Sequence, residues 1–394
     1  MRILHVSDCY LPRLGGIETQ VHHLAQRQVA AGHEVDVLTA TPKARHDRTA
    51  HEVLDGVSVL RASADLPYEL PLHPRAGAQV AAALRRAGHG GRSYDVAHVH
   101  TGVVSQFAYA ALPVLVRART PVVITVHSMW GPARPAFALA DRLIHWSRWP
   151  VVFSAVSEVA AAPLRRVAGR GADVRVIPNG IDVAEWRLDP SELTPRSAAD
   201  EVVLAAVMRL APRKRGLALL RTLRAVRALV PRETRLRAVI VGEGPQRAAM
   251  ERYLRRAAMT GWVELPGRWD REAIRALYRR ADVFVSAANL ESFGIAALEA
   301  RTAGVPVLAK ASTGAGEFLT DGVDGVLVDD DAALTAALAA LVVDPAGRAA
   351  MAAQARSTPP PTTWEQVLRR CDEAYAAARS RVAASGQIPG QAPE

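Results

Sequence analysis

Short runs of β-branched and aliphatic residues recur along the chain, separated by longer stretches whose apolar positions follow helical spacing. In the first half, 3–6, 34–39, 57–61, 96–100, 121–126 and 152–156 read as strands. Residues 18–32 read as a helix, with Val21, Leu24 and Val29 as apolar positions and Gly32 at its end. A second set begins near Glu201, with strands at 202–207, 236–241, 262–265, 283–286, 305–309 and 325–328. Strands that alternate with helices imply parallel sheets covered by helices.

Between the two sets, Val176-Ile-Pro-Asn-Gly-Ile-Asp182 reads as a strand end followed by a turn. A Pro- and Ser-rich stretch then runs to about Ala199 and is read as the interdomain linker. Pro359-Pro-Pro361 breaks the chain again, before an amphipathic helix at 364–380 anchored by Trp364, Val367, Leu368 and Tyr375. The expected division is 1–186, 187–362, a terminal helix at 363–383 and a disordered tail at 384–394. The fold class expected is α/β: two doubly wound, Rossmann-like parallel-sheet domains facing a cleft, with ligand at the carboxyl ends of the strands.

Composition narrows this reading. A chain of 394 residues is long for one core and favours two domains. With 49% hydrophobic and 22% charged residues it is globular rather than disordered. The net charge of +10 is carried almost wholly by Arg, since Lys occurs only at 43, 214 and 310. That balance favours anionic partners such as phosphates or lipid surfaces, but no basic run interleaved with aromatics points to nucleic acid. Cys9 and Cys371 sit near opposite ends of the chain, against a disulfide scaffold or a cysteine metal site. No signal peptide is evident and no apolar run reaches the roughly 18 residues that span a bilayer. A cytoplasmic protein is expected, with a peripheral position at the inner face of a membrane as the alternative.

The densest candidate chemistry is Asn289-Leu-Glu-Ser-Phe-Gly-Ile-Ala-Ala-Leu-Glu299. Following the strand at 283–286, it sets Glu291 in a loop and Glu299 on the helix that Gly294 and Ile295 begin. Carboxylates accept hydrogen bonds from sugar hydroxyls, and the free N–H groups of a helix start suit phosphate. Arg209-Leu-Ala-Pro-Arg-Lys-Arg-Gly216 follows the strand at 202–207 and brings Arg209 and Lys214 to the carboxyl edge, where they can neutralise a diphosphate. Arg213 and Arg215 read as solvated. Leu14-Gly-Gly-Ile-Glu18 and Val241-Gly-Glu-Gly-Pro245 are glycine turns that allow close backbone approach, or simply tight turns. Neither matches the dinucleotide fingerprint.

His127 ends a strand and points into the expected cleft. His98 and His100 resemble a metal pair, but no third ligand lies at suggestive spacing, so no metal site is expected. Asp329-Asp330-Asp331 contains a D-x-D match and is better read as the cap of a following helix.

In order and spacing, Gly15-Gly16-Ile-Glu18, His127, Ile177-Pro-Asn-Gly-Ile-Asp182, Arg209 through Lys214, Gly242-Glu-Gly-Pro245 and the Glu291…Glu299 pair resemble the family 4 retaining glycosyltransferases of GT-B fold, over nearly the whole chain. The resemblance implies a donor site for a nucleotide-diphosphate sugar. It places Glu299 on the ribose hydroxyls, Arg209 and Lys214 on the diphosphate, and Glu291 on the transferred sugar. Gly15, Gly16, Gly242, Phe293, Gly294 and Ile295 complete the donor-binding set, and His127 positions the donor sugar. It further implies retention of anomeric configuration, no metal or other cofactor, and a terminal helix that returns to the first domain. One departure is Thr313-Gly-Ala-Gly-Glu317, where the family often has Gly-Gly-x-x-Glu.

The rival readings are a sugar-nucleotide epimerase, a phosphorylase, and a non-catalytic two-lobed sugar-nucleotide-binding protein. A phosphorylase would need a Lys for pyridoxal phosphate, and only Lys214 and Lys310 are candidates. The sugar (mannose, glucose or N-acetylglucosamine) and the acceptor (lipid-linked, polysaccharide or small metabolite) stay open. Segment 135–150, with Trp146 and Trp149 among Arg142 and Arg148, is read as a partly buried helix with snorkelling Arg, membrane contact being the alternative.

Overall fold

The computed structural model describes residues 1–13, 15–44, 50–62, 73–89, 93–131, 133–192 and 201–385. It forms two compact units, 1–180 with the helix Trp364–Ser385, and Ile181–Thr363. The division falls at Gly180/Ile181, ahead of the expected 186/187. The reason is the short helix Val183–Trp186, whose Trp186 is buried beside Tyr278 of the second unit. Residues 193–199 of the expected linker, and the tail beyond Ser385, lie outside the described residues.

The first unit is built from β1 (Arg2–Ser7), α1 (Gly16–Ala30), β2 (Glu34–Thr39), β3 (His51–Leu54), β4 (Val57–Arg61), α2 (Ala76–His89), β5 (Val96–Thr101) and α3 (Gln106–Arg117). It continues with β6 (Val122–Val126), α4 (Arg134–Ile144), β7 (Val151–Ala155), α5 (Glu158–Ala168) and β8 (Val174–Val176). The sheet order is β3-β4-β2-β1-β5-β6-β7-β8, and only β3 runs antiparallel, against β4. The hydrophobic pattern does not predict the edge strand β3. Its signal is Asp55-Gly56, both at positive φ (49° and 82°), the residue pair a tight hairpin turn requires.

The second unit contains α6 (Val183–Trp186), β9 (Val202–Val207), α7 (Gly216–Leu229), β10 (Leu236–Val241), α8 (Arg247–Arg256), β11 (Val263–Gly267) and α9 (Arg271–Tyr278). Then come β12 (Val283–Val285), α10 (Ile295–Thr302), β13 (Val307–Lys310), β14 (Gly325–Val328), α11 (Asp331–Val343) and α12 (Pro345–Ser357). All six strands are parallel, in the order β11-β10-β9-β12-β13-β14. In strand sequence this is 3-2-1-4-5-6, the doubly wound arrangement. Its core joins Leu204, Ala206, Ile240, Val283 and Leu308 of the sheet to Leu219, Leu223, Leu334 and Leu338 of α7 and α11.

The terminal helix α13 (Trp364–Ser385) packs within the first unit, burying Trp364, Val367, Cys371 and Tyr375 against residues of α1 and the sheet. Gly180 shows how tightly: a Cβ there would strike the Trp364 ring. Segment 135–150 forms the partly buried helix expected: α4 leaves Leu139, Leu143 and Ile144 exposed, while half-buried Phe137 stacks on Trp130 (ring centroids 3.6 Å apart) and Trp146 beyond its end is buried. Among the described residues no single helix is long and apolar enough to cross a membrane.

Candidate active site

In the second unit the strand order reverses between β9 and β12, which pair directly through Val283–Leu204 and Phe284–Ala205. At such a switch point the following connections diverge to opposite faces and open a crevice at the carboxyl edge. Arg209 and Lys214 leave β9, and Glu291 through Glu299 leave β12, so the fold delivers both groups to one crevice.

A single turn at Pro212–Lys214 follows β9, and Arg215 in the left-handed region (φ 58°) turns the chain into α7. Lys214 Nζ donates to Glu291 Oε2, and both side chains are largely buried. Arg215 is not the solvated residue expected. It donates to both oxygens of Asp331 (2.8 and 2.6 Å), to Asn289 Oδ1 (2.6 Å) and to the Ala287 carbonyl (3.2 Å). Its guanidinium thus ties the connection after β9 to the one after β12 and to the start of α11. Lys310, itself buried, also pairs with Asp331. The hydrogen bonds from Arg215 and then Lys310 hold the Asp331 carboxyl well below the usual carboxylate range. Asp330 caps α11 by accepting from the Ala333 N–H at 2.8 Å, so the aspartate run serves a cap and an ion-pair cluster.

The turn between the two glutamates is held from beneath. Gly294 adopts φ 97°, ψ 54° and caps α10 with no side chain, so the first-turn N–H groups of Ile295 and its neighbours receive no side-chain cap. Phe293 is buried against Phe318 (ring centroids 5.5 Å apart), which makes it an anchor for the turn rather than a ligand-facing group. Gly314, the glycine kept in the departing Thr313–Glu317 run, donates its N–H to the Glu291 carbonyl at 2.9 Å. It abuts Ser292 so closely that a Cβ would collide with that residue's carbonyl.

Glu299 lies one turn into α10. Burial pushes its carboxyl up to about 8, with smaller opposing effects from Arg271 (down) and Glu185 (up). Those two residues pair with each other, and Tyr278 packs nearby; spacing gives no sign of any of the three. The Glu299 carboxylate makes no hydrogen bond or ion pair among the described residues, so its acceptor capacity is unspent. The exposed Arg209 guanidinium is likewise unpartnered among them.

Gly242 (φ 140°) and Gly244 (φ 155°) have a reason other than ligand access. A Cβ at either would collide with the carbonyl oxygen of Met208 or Leu210. The Met208 N–H donates to the Val241 carbonyl (3.0 Å) and the Leu210 N–H to that of Glu243 (2.8 Å). This close backbone approach fixes the position of Arg209 between them.

The first unit reverses strand order between β1 and β5. Gly15 and Gly16 stand at the entrance to α1 just after β1, and Leu14 lies outside the described residues. The Glu18 side chain folds over Gly15, where a Cβ would meet its carboxylate, and it pairs with Arg13 at 3.6 Å. His127 follows β6, with its Nε2 3.0 Å from His100 Nδ1. Burial lowers the His127 imidazole to about 4. His98 and His100 on β5 meet a third histidine, His5, on the adjacent β1, whose ring nitrogen lies 2.9 Å from His100. Sequence spacing conceals it because the contact joins residues 95 apart. Burial likewise holds His5 (to about 4), His98 and His100 below the ordinary histidine range.

Comparison with known proteins agrees with this arrangement. The family described as glycosyltransferase family 4 matches residues 14–185, and that described as glycosyl transferases group 1 matches residues 194–358. Glycogen synthase of Mycobacterium tuberculosis is 31% identical over 406 aligned residues, covering 96% of this chain and 95% of that protein. D-inositol 3-phosphate glycosyltransferase of Geodermatophilus obscurus is 32% identical, covering 95% and 88%. Among solved structures, Anabaena HepE in complex with UDP and glucose has a TM-score of 0.73 at 20% identity, covering 95% of this chain and 99% of that one. Sucrose-phosphate synthase of Thermosynechococcus elongatus has 0.74 at 22%, covering 97% and 99%. Two doubly wound units, sequence relatedness along almost the whole length and fold likeness to GT-B enzymes lead to one conclusion: the chain belongs to the family 4, group 1 glycosyltransferases.

Proposed function

We propose that this glycosyltransferase moves a hexosyl unit from a nucleotide-diphosphate sugar to an acceptor hydroxyl with retention of anomeric configuration. The observation that carries the donor assignment is the set at the β9/β12 switch point. It comprises the unpartnered Glu299 carboxylate, the Lys214–Glu291 pair, the free Arg209 guanidinium and the open helix start at Gly294. Glu299 suits the vicinal hydroxyls of ribose. Arg209, Lys214 and the N–H groups at Ile295 suit the diphosphate. Once Lys214 turns to phosphate, Glu291 is released to accept from hydroxyls of the transferred sugar.

On this reading the acceptor hydroxyl attacks the anomeric carbon on the face from which the diphosphate departs. The bond between that carbon and the diphosphate oxygen breaks, and the acceptor proton passes to a phosphate oxygen. Side-chain cations aimed at the developing charge supply the stabilisation, so neither a side-chain base nor a metal is required. Glucose and UDP are the first choices for trial, because HepE is described with UDP and glucose. Mannose and N-acetylglucosamine donors come next, and a lipid-linked, polysaccharide or small-metabolite acceptor is proposed. A cytoplasmic location with peripheral membrane contact through the exposed α4 face belongs to the same proposal.

The test is incubation with UDP-, GDP- and ADP-sugars and candidate acceptors, following nucleoside diphosphate release and the anomeric configuration of the product by NMR. An α-linked product from an α-donor supports the reading. Inversion, or nucleotide-sugar turnover without any acceptor-dependent product, would sink it.

A further inference from the structure

In the second unit Arg215 is spent on the crevice itself rather than on solvent. Its guanidinium meets the Asp331 carboxylate at two points (Nη1 at 2.8 Å, Nη2 at 2.6 Å). Nη1 also donates to Asn289 Oδ1 (2.6 Å) and to the Ala287 carbonyl (3.2 Å). Such a set calls for the planar fork of arginine, which a lysine ammonium does not present. Asp331 is held from a second side by Lys310, the buried last residue of β13. The Asp331 carboxylate has no share in capping α11, because Asp330 accepts the Ala333 N–H. The connection after β9, the connection after β12 and the end of β13 therefore meet at one half-exposed carboxylate that its own helix does not need. An isolated exposed ion pair contributes little, but a bidentate pair inside a hydrogen-bonded network fixes a position.

The position it fixes is that of Glu291. Ala287 and Asn289 stand on the connection that leads into Glu291, and Arg215 directly follows Lys214, whose ammonium donates to the Glu291 carboxylate. On the other side the Gly314 N–H donates to the Glu291 carbonyl at 2.9 Å. When a phosphate draws Lys214 away, the Glu291 side chain loses that partner, and Arg215 and Gly314 still hold its backbone. We propose that Arg215 and Asp331 are positioning residues of the crevice, which keep Glu291 opposite Lys214 and keep it in place once Lys214 has turned to a phosphate. The clamp does not depend on the ligand; its consequence for turnover rests on the reading of the crevice as the donor site. A misplaced Glu291 is felt in the reacting geometry of the sugar more than in nucleotide binding, which Glu299 and the helix start at Ile295 supply.

Two variants of the full chain test this. Asp331→Asn keeps the shape and removes the charge; Asn289→Ala removes one uncharged acceptor at an exposed position and serves if Asp331→Asn does not fold. The first measurement needs no ligand. Lysine occurs only at 43, 214 and 310, so 1H–15N spectra of the side-chain ammonium groups in 15N-lysine-labelled protein hold three signals to assign, through Lys43→Arg and Lys214→Arg. The Lys214 ammonium is expected to exchange with water at least threefold faster in either variant than in the wild type. An unchanged Lys214 signal in both would overturn the proposal. The second measurement is turnover of whichever of UDP-, GDP- and ADP-glucose the wild type uses. In Asp331→Asn, kcat is expected to fall tenfold or more, and in Asn289→Ala severalfold, with KM within twofold. Neither substitution should lower kcat further once Glu291→Gln is present, because the clamp acts through Glu291. The same fold loss in the Glu291→Gln background would reduce the clamp to general support and overturn the proposal. A faster-exchanging Lys214 with unchanged kcat, or with no turnover of any of the three sugars by the wild type, would uphold the clamp and count against the donor role of the crevice.

Discussion

The two polar regions solve opposite problems. In the first unit, four histidines, a tyrosine, a glutamine, a threonine and a serine satisfy one another inside the core, and burial keeps the rings neutral. In the second, polar groups at a strand-order reversal are left open: Glu299, whose carboxyl burial keeps protonated up to about 8, and Arg209 have no partner among the described residues, and Lys214 is held by an exchangeable one. A closed network fixes geometry, whereas unspent acceptors and cations are what a charged ligand can use. Ligand recognition is therefore expected to live mainly in the second unit.

The largest expected effect is on the closed network. His5 and His127 stay neutral to about pH 4 when folded, whereas an unfolded histidine takes up its proton near 6.5. Their contribution is present above 6.5 and is lost as pH falls towards 4. At about 1.4 kcal/mol for each tenfold change in proton affinity, this costs the first unit several kcal/mol at most. Thermal unfolding followed by circular dichroism from pH 7 to 4 checks it. An unchanged first-unit transition would contradict a buried neutral network.

Next come the open charges. Lys214→Ala and Glu299→Ala are each expected to weaken nucleotide-sugar binding or turnover tenfold or more, about 1.4 kcal/mol, with the fold retained. Steady-state kinetics of both variants decides this, and wild-type constants in both would remove the site assignment. Glu299 also has its own pH signature, opposite in sign to that of the histidines. Folded, it keeps its proton up to about 8 against an ordinary value of 4.5, so stability falls as pH rises between the two. Glu299→Gln should remove that fall and stabilise the second unit at pH 8.5 by about 1 kcal/mol, discounted for partial solvent access, while nucleotide affinity drops. Melting temperatures at pH 5 and 8.5 measure it. The smallest effect is assigned to exposed Arg213: Arg213→Ala should change kcat/KM less than twofold.

The strand pattern made the two parallel sheets legible, since period and β-branching reflect burial, which local sequence records directly. Arg209, Lys214 and Glu291 stood out for a related reason: each follows a recognisable strand in the next connection, where such folds expose side chains, and Glu299 lies on the helix that this connection enters. What stayed hidden was made by contacts distant in sequence. His5 joins His98 and His100 only through the pairing of β1 with β5. Arg215 looks like any basic loop residue until Asp331, 116 positions on, comes to meet it. Gly242 reads as a ligand-access or turn glycine and Gly314 only as the glycine kept in a run that departs from the family pattern, but the space each needs is taken by another backbone, at Met208 and at Ser292. The left-handed Gly294 is the intermediate case, because a helix start directly after Phe293 leaves few other conformations open.

The most direct test of the central claim is a thermal-shift titration of wild type, Lys214→Ala and Glu299→Ala with UDP-, GDP- and ADP-glucose, since stabilisation grows with ligand concentration over Kd. The account predicts that at least one donor raises the melting temperature of the wild type, and that either substitution moves the response to at least tenfold higher concentration. Equal responses in all three proteins, or none to any nucleotide sugar, would contradict it.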